Sequence, residues 1–262
     1  MANSVRNRVK PATSRRRGLV MDMAYAKTGG AVSGGAGASC RLFVAAMPSL
    51  PDSGFDFVAA FYDPLAQLVY GPALRRAQQA VLTAGLPTGA ARVLIIGGGT
   101  GWVLGEVLRR NPAARLLYLE ASPRMLHQSQ EWLHRRLPQH AAQVEFRLGT
   151  EAALQPQELF EAVLTFFFLD LFEPTRLRDI VGRLRTALVP TGVWLLADFG
   201  PPKAWWHRLL LGLMYHFFGL TTGISARHRP PIEAELHRIG LMPEAAGQFF
   251  GRMVEASVWR AA

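Results

Sequence analysis

The sequence contains a single cysteine, Cys40, among its 262 residues. One cysteine excludes an internal disulfide framework and a zinc or iron–sulfur site built from cysteines. A Ser/His/Asp set and metal-ligand spacings are also absent, so we expect no metal. The longest apolar run, at 209–220, is shorter than the roughly 18 residues of a membrane-spanning helix. These features favour a cytoplasmic location.

Acidic residues are scarce in the first 46 positions, which hold eight of the 29 Lys and Arg residues but only one acid, Asp22. Residues 47–262 hold 21 basic and 18 acidic residues, a difference of +3. The chain's net charge of +10 therefore does not indicate a nucleic-acid partner. Because the run AKTGGAVSGGAGAS has few large apolar residues, we predict a disordered leader at 1–46 and a folded domain at 47–262.

Two targeting signals are alternative interpretations of this leader. The RRR triplet at 15–17 is similar to a twin-arginine export signal, and Cys40 follows small residues as in a lipoprotein site. However, Asp22 and Lys27 interrupt the apolar region that an export signal needs, and Gly37 replaces a leucine-like residue before the cysteine. We therefore favour a leader that is not a signal.

Apolar strands alternate with amphipathic helices along the rest of the chain. Strands are predicted at 91–96, 115–120, 144–148, 161–169 and 192–199. Helices are predicted at 55–71, with a kink at Pro64, and at 102–110, 123–137, 175–187 and 231–241; residues 248–260 form a hairpin around Gly251 and Arg252. Strands that are apolar throughout indicate a parallel sheet covered on both faces. The predicted fold is α/β, a Rossmann-like doubly wound sheet, mostly parallel, with a C-terminal antiparallel hairpin.

A glycine loop follows the first predicted strand. Gly97, Gly99 and Gly101 form G-x-G-x-G, which permits a tight turn and close approach of a ligand to the backbone. Trp102 stands where a dinucleotide fingerprint would have another glycine, and the Gly-Lys-Ser/Thr of a P-loop is absent. Glu120 ends the second strand, 19 residues after Gly101, where a carboxylate can accept both hydroxyls of a ribose.

The sequence resembles the class I S-adenosylmethionine-dependent methyltransferases. The resemblance is carried by VLIIGGGTG (93–101), YLEASPRML (118–126), VEFRLGT (144–150), FEAVLTFFFLDLF (160–172) and LVPTGVWLLADF (188–199). With the closing hairpin it covers about residues 55–260, and FYDPLAQLVYG (61–71) is similar to the ubiquinone/menaquinone methyltransferase-like branch. The resemblance implies S-adenosylmethionine as cofactor and a small molecule as methyl acceptor.

The resemblance also implies a set of cofactor-binding residues. They are Gly97, Gly98, Gly99, Thr100, Gly101, Glu120, Ala121, Ser122, Met125, Gly149, Thr150 and Thr165. The glycines would border the methionine part of the cofactor, Glu120 would bind its ribose, and the residues after Glu120 would flank its adenine. Two positions depart from the family pattern: Ile95 replaces an acid, and Thr150 replaces an aspartate that reaches the adenine amine.

The acceptor is expected beyond the carboxyl ends of the fourth and fifth strands, close to 165–170 and Asp198. Asp170 is a candidate base, although a helix-capping role is equally compatible with its position. The other candidate catalytic residues are Tyr62, Tyr215 and His216.

The segment 203–228 is basic and free of acids, and it carries an apolar stripe through Trp206, Leu209, Leu210, Leu213, Met214 and Phe217. One interpretation is a covering helix. The other is a lid over the acceptor pocket, suited to an apolar acceptor or to peripheral contact with a membrane.

Two other functions remain open from the sequence. VLIIGGGTGWVLGEVLR is also similar to the start of an aminopropyltransferase such as spermidine synthase, but the exit of the fourth strand carries one acid where a polyamine cation would need several. A noncatalytic cofactor-binding module is the second alternative, and Ile95 favours it.

We predict that the leader is dispensable. A chain that begins at Met47 should keep the melting temperature and the S-adenosylmethionine affinity of the full chain, because the removed residues cannot bury enough apolar surface to stabilise the fold. Thermal melts and calorimetric titration of both chains test this, and a melting temperature several degrees lower after truncation would contradict it.

Overall fold

A seven-stranded sheet forms the centre of the protein in the computed structural model, which describes residues 71–212 and 229–262. The strands are β1 Arg92–Ile96, β2 Arg115–Glu120, β3 Val144–Leu148, β4 Phe160–Phe166, β5 Leu188–Phe199, β6 Leu241–Phe249 and β7 Val254–Ala261. Their order is β3-β2-β1-β4-β5-β7-β6, with β1 to β5 parallel and β7 antiparallel to both neighbours. The predicted fold class is confirmed.

Helices cover both faces of the sheet. They are α1 Ala73–Gly85, α2 Trp102–Arg110, α3 Pro123–Arg136, α4 Pro174–Ala187, the described part of α5 at 205–212, and α6 Ile232–Arg238. One core packs α1, α2 and α3 on one face, and a second core packs α4 and α6 on the other. In the described ranges, no helix is long and apolar enough to cross a membrane. The predicted leader and the helix at 55–71 lie outside the described residues.

Several element boundaries differ from the pattern-based prediction. β4 ends at Phe166, three residues early, because the backbone of Phe167 turns to a positive φ of 51°. β6 begins at Leu241, seven residues before the predicted hairpin, because it pairs with β7 along its whole length. The pattern also missed α1, in which the buried Ala77 and Val81 are surrounded by alanine, arginine and glutamine residues that dilute the apolar signal.

Gly85 ends α1 where that helix packs against β5 and β7. A Cβ at this position would lie 2.6 Å from Cδ2 of Leu195 and 2.9 Å from Cγ1 of Val258, and both of these side chains are buried. The absence of a side chain therefore allows α1 to approach the sheet. Gly182 in α4 is the opposite case, because a Cβ there meets no atom within 4 Å.

We predict opposite effects for alanine at these two helical glycines. Gly85→Ala should lower the free energy of unfolding by about 1–3 kcal/mol through overpacking. Gly182→Ala should raise it by up to about 1 kcal/mol, because alanine restricts the unfolded chain and favours the helix. Urea denaturation of both variants measures the difference, and a change of the same sign in both would contradict the packing argument.

Candidate functional site

The glycine loop between β1 and α2 requires glycine for two different reasons. Gly97, Gly99 and Gly101 all have a positive φ, between 64° and 98°. A Cβ on Gly97 would lie 2.4 Å from the ring of Phe168, whereas a Cβ on Gly99 would meet no atom within 4 Å. Gly97 is thus needed for internal packing, and Gly99 is the position at which a ligand can approach the backbone.

Glu120 connects this loop to the loop that follows β2. Its side chain is buried, its Oε2 accepts a hydrogen bond from the backbone N–H of Gly99 at 3.1 Å, and its Oε1 accepts one from Ser122 at 3.0 Å. The hydroxyl of Tyr118 donates to the carbonyl oxygen of Gly99 at 2.9 Å. The carboxylate therefore lies at the glycine loop in a defined orientation.

The residues after β2 and β3 surround the same edge of the sheet. Ser122 caps α3 through its hydroxyl, which accepts from the N–H of Met125 at 3.1 Å, and Met125 is buried. Gly149 donates its N–H to the carbonyl oxygen of Glu120 at 2.9 Å, and the Thr150 hydroxyl accepts from the N–H of Ala152. The loops after β1, β2 and β3 are thus joined by hydrogen bonds that centre on Glu120.

Thr165 lies at the end of β4 with its side chain directed into the second core. It is fully buried, and its hydroxyl accepts a hydrogen bond of 2.8 Å from the indole N–H of Trp194. Its neighbour across the sheet is Ile96, the last residue of β1. Thr165 therefore lies near the glycine loop, but its hydroxyl binds Trp194.

The chain turns sharply as it leaves β4. Phe167 has a positive φ of 51°, a conformation that is costly for a bulky residue, and it is held there by its N–H bond to the carbonyl oxygen of Ala197 and by its contact with Phe199. Phe166 and Phe167 are buried, whereas Phe168 reaches the glycine loop. One of the three phenylalanines therefore contributes to the site.

Two buried aspartates meet beside this turn. Asp198, at the end of β5, accepts hydrogen bonds from its neighbour Phe199 at 2.8 Å and from the backbone N–H of Asp170 at 3.3 Å. The Asp170 side chain is 1% exposed, and its two oxygens have no hydrogen-bond partner among the described residues. Asp170 lies in the 3-10 turn Leu169–Leu171 and caps no helix.

The environment raises the pKa of both aspartates. Burial raises the pKa of Asp170 well above its usual range, and the nearby Asp198 carboxylate raises it further. Burial also raises the pKa of Asp198, to about 6, against the opposing effects of the Phe199 N–H and the positive charge of Arg229. Burial and the nearby Asp198 carboxylate therefore favour the neutral form of Asp170. Arg229, which no pattern in the sequence assigned to this site, also donates to the carbonyl oxygen of Phe199.

Comparisons with known proteins bear on the family and the fold of the chain. Residues 94–194 match a protein family described as a methyltransferase domain. The chain has the class I methyltransferase fold. S-adenosylmethionine is the cofactor that the family match implies. No curated protein sequence matches the chain at a significant level.

Three solved structures illustrate the likeness. Mitomycin 7-O-methyltransferase is 24% identical with a TM-score of 0.59, and the alignment covers 80% of this chain and 61% of that one. An O-methyltransferase family 2 protein from Planctomyces limnophilus in complex with apigenin is 17% identical, with a TM-score of 0.59 and coverages of 80% and 62%. The N-methyltransferase NodS from Bradyrhizobium japonicum, in complex with S-adenosyl-L-homocysteine, is 14% identical, with a TM-score of 0.58 and coverages of 80% and 98%. The chain thus spans less than two thirds of the first two proteins.

Three of the predicted catalytic residues, Tyr62, Tyr215 and His216, lie outside the described residues. The described part of the predicted lid, 203–212, differs from the sequence pattern: Leu209 of the apolar stripe is exposed, and His207 and Leu211 are buried in its place. The pattern correctly located Glu120 at the glycine loop. It missed Tyr118, because an aromatic residue in an apolar strand gives no signal of a polar role.

We predict that removing the Asp170 carboxyl weakens the pH dependence of stability. A carboxyl whose pKa is higher in the folded state than in the unfolded state stabilises the fold fully at pH values below its unfolded-state pKa of about 4. This stabilisation is lost as the pH rises towards the folded-state pKa. For each proton that only the folded state holds, the free energy of unfolding falls by about 1.4 kcal/mol per unit of rising pH. Melting temperatures at about pH 5 and about pH 8 should therefore differ less in Asp170→Asn than in the unsubstituted protein.

Asp179→Asn is the matched control, because Asp179 is an exposed aspartate of α4. Its melting temperatures should show the same difference between the two pH values as the unsubstituted protein. An unchanged difference in Asp170→Asn as well would mean that Asp170 is not protonated in the folded state.

Proposed function

We propose that this chain is an S-adenosylmethionine-dependent methyltransferase that acts on a small, predominantly apolar acceptor in the cytoplasm. The observation that carries the proposal is the buried Glu120 carboxylate, which the N–H groups of Gly99 and Ser122 orient at the end of β2. The family match over 94–194 supports the same conclusion. The assignment to the ubiquinone/menaquinone-like branch remains a prediction.

The residues of the glycine loop fit the cofactor. The space above Gly99 leaves its backbone accessible to a ligand, and Glu120 presents a carboxylate to which ribose hydroxyls can donate. Ile95, which replaces the acid common in the family, is buried in the core and offers the cofactor no polar contact. The contact between Glu120 and the ribose would therefore supply a larger share of the binding free energy. Ala121, Ser122, Met125, Gly149 and Thr150 would line the adenine side. When bound, S-adenosylmethionine supplies an activated methyl group.

The aspartate pair is suited to accept the proton that a hydroxyl or amine loses on methylation. Bound S-adenosylmethionine would supply the methyl group, and the Asp198 carboxylate would take up the proton that the acceptor atom loses. A pKa of about 6 for Asp198 lies close to the value at which a general base works best at neutral pH. Phe168 and Phe172, whose rings meet edge to face at 5.0 Å, would supply apolar surface on the acceptor side.

A noncatalytic cofactor-binding module is the second candidate, because Ile95 leaves the loop without the common acid. Incubating the protein and a cell extract with methyl-labelled S-adenosylmethionine, followed by mass spectrometry of labelled products, separates the two. Transfer to a small molecule supports the enzyme. Cofactor binding without any transfer supports the module. An aminopropyltransferase would instead prefer decarboxylated S-adenosylmethionine.

We predict that Glu120→Ala weakens S-adenosylmethionine binding at least about tenfold. Charge-assisted hydrogen bonds contribute about 1.5–3 kcal/mol each, and 1.4 kcal/mol corresponds to a factor of about ten. Isothermal titration calorimetry measures the affinity. Glu120→Gln keeps the size of the side chain and removes its charge, so it should also bind the cofactor more weakly.

Glu173→Ala is the control, because Glu173 is an exposed carboxylate that caps no helix through its side chain. It should bind the cofactor as the unsubstituted protein does. Melting temperatures of all variants separate loss of the site from loss of the fold. Unchanged affinity in both Glu120 variants would show that the cofactor site is elsewhere.

A further inference from the structure

The described part of α5, at 205–212, is apolar on both of its sides. His207 and Leu211 are buried against the protein, at 1% and 4% exposure. On the opposite side, Trp205 is 71% exposed and Leu209 is 56% exposed. A surface helix normally turns polar side chains to water, so large apolar side chains exposed on its outer side indicate a second apolar environment.

The start of this helix is firmly held. The Nδ1 atom of His207 accepts hydrogen bonds from the backbone N–H groups of Lys203 and Ala204, at 3.3 and 3.4 Å, as a residue of the first helical turn does in a capping box. These bonds join the first turn of α5 to the residues before it, next to the exposed Trp205. Lys203 also lies 4.0 Å from the carboxylate of Glu255.

Trp206 connects the helix to the turn between β6 and β7. Its ring packs edge to face on Phe250 at 5.8 Å, and it would lie 3.2 Å from a Cβ on Gly251. The next residue of that turn, Arg252, is exposed. Arg252 and Arg208 form no ion pair with a carboxylate in the described parts of the chain. We call Trp205, Trp206, Arg208, Leu209 and Arg252 the helix–turn patch.

The patch lies at the same edge of the sheet as the glycine loop. Phe199 at the carboxyl end of β5 pairs with Val254 at the start of β7, so the β6–β7 turn projects from the edge at which β1 to β5 end. A surface bound to the patch would therefore face the side of the molecule on which Glu120 and Asp170 lie.

We propose that the helix–turn patch binds the surface of an anionic lipid bilayer. Tryptophan is favoured at the membrane–water interface, where its ring is apolar and its N–H remains hydrated. Arginines beside such a ring add attraction to anionic headgroups. The sequence from 199 to 232 contains four basic residues and no acid, so its charge complements such a surface.

A second copy of the chain is a poorer partner for this surface. In a symmetric dimer the same patch is contributed by both copies, so one interface would contain Arg208 and Arg252 twice. Like charges brought together in an interface oppose association. A bilayer carries the opposite charge over its whole surface and accepts the exposed indole and leucine side chains at the same time.

The test measures sedimentation of the full chain with vesicles of phosphatidylcholine that contain about one third phosphatidylglycerol. Trp205→Ser/Leu209→Ser should reduce binding at least about tenfold, since both apolar groups lose their burial in the interface. Arg208→Gln and Arg252→Gln should each reduce it about fivefold. Binding to pure phosphatidylcholine should be weaker for the unsubstituted protein.

The matched control is Leu159→Ser/Met242→Ser. These side chains are 44% and 50% exposed, and they lie beside the starts of β4 and β6, at the opposite edge of the sheet. The control protein retains the basic residues 1–46, so any contribution of these residues to vesicle binding is the same in the control and in the patch variant. It should bind as the unsubstituted protein does.

A second measurement reports where the protein touches the lipid. Brominated phosphatidylcholine quenches only those of the six tryptophans that enter the interface. Trp205→Phe keeps an apolar ring and should retain most of the binding while losing a large part of the quenching. Equal binding of the patch variant and the control, or quenching that does not depend on Trp205, would overturn the proposal. A patch variant that changes the oligomeric state but not vesicle binding would identify a contact between copies and would also overturn it.

Discussion

The Glu120 carboxylate is the group on which the organisation of the cofactor edge depends. It is buried at the end of β2, and a buried charge is stable only where hydrogen bonds replace the water that it has lost. Two backbone N–H groups supply such bonds, one from Gly99 and one from Ser122. Because these groups belong to different loops, the requirement to solvate one carboxylate also sets the positions of the loops after β1 and β2. The left-handed glycines then follow from the tight path that the first loop must take.

The turn after β4, on the proposed acceptor side, contains two energetically unfavourable features. Phe167 adopts an unfavourable backbone conformation, and Asp170 has both carboxyl oxygens without hydrogen-bond partners in the described structure. The packing of Phe167 against Phe199 and the hydrogen bond from the Asp170 N–H to Asp198 hold the turn in place despite these two features. The same turn brings Phe168 against Gly97, so it connects the proposed acceptor side to the glycine loop.

The proposed membrane surface and the proposed chemistry are compatible but separable. An acceptor that partitions into lipid would reach the site most directly if the edge with Glu120 and Asp170 faced the bilayer. The helix–turn patch would provide that orientation through Trp205 and Arg252, which are not among the residues proposed to bind the cofactor. Either proposal can therefore fail without the other.

The sequence by itself determined the alternation of strands and helices, the glycine loop and the position of Glu120, because these depend on short-range periodicity and on spacing along the chain. β2 and β3 agree with their predicted bounds for that reason. Only the tertiary structure decided which side chains meet across the sheet. Asp170 and Asp198 are 28 residues apart, and their contact depends on the pairing of β4 with β5. The exposure of Leu209 was likewise decided by the rotation of α5 about its axis, which places His207 and Leu211 against the core, and a helix with apolar residues on both sides cannot encode that rotation in its own sequence.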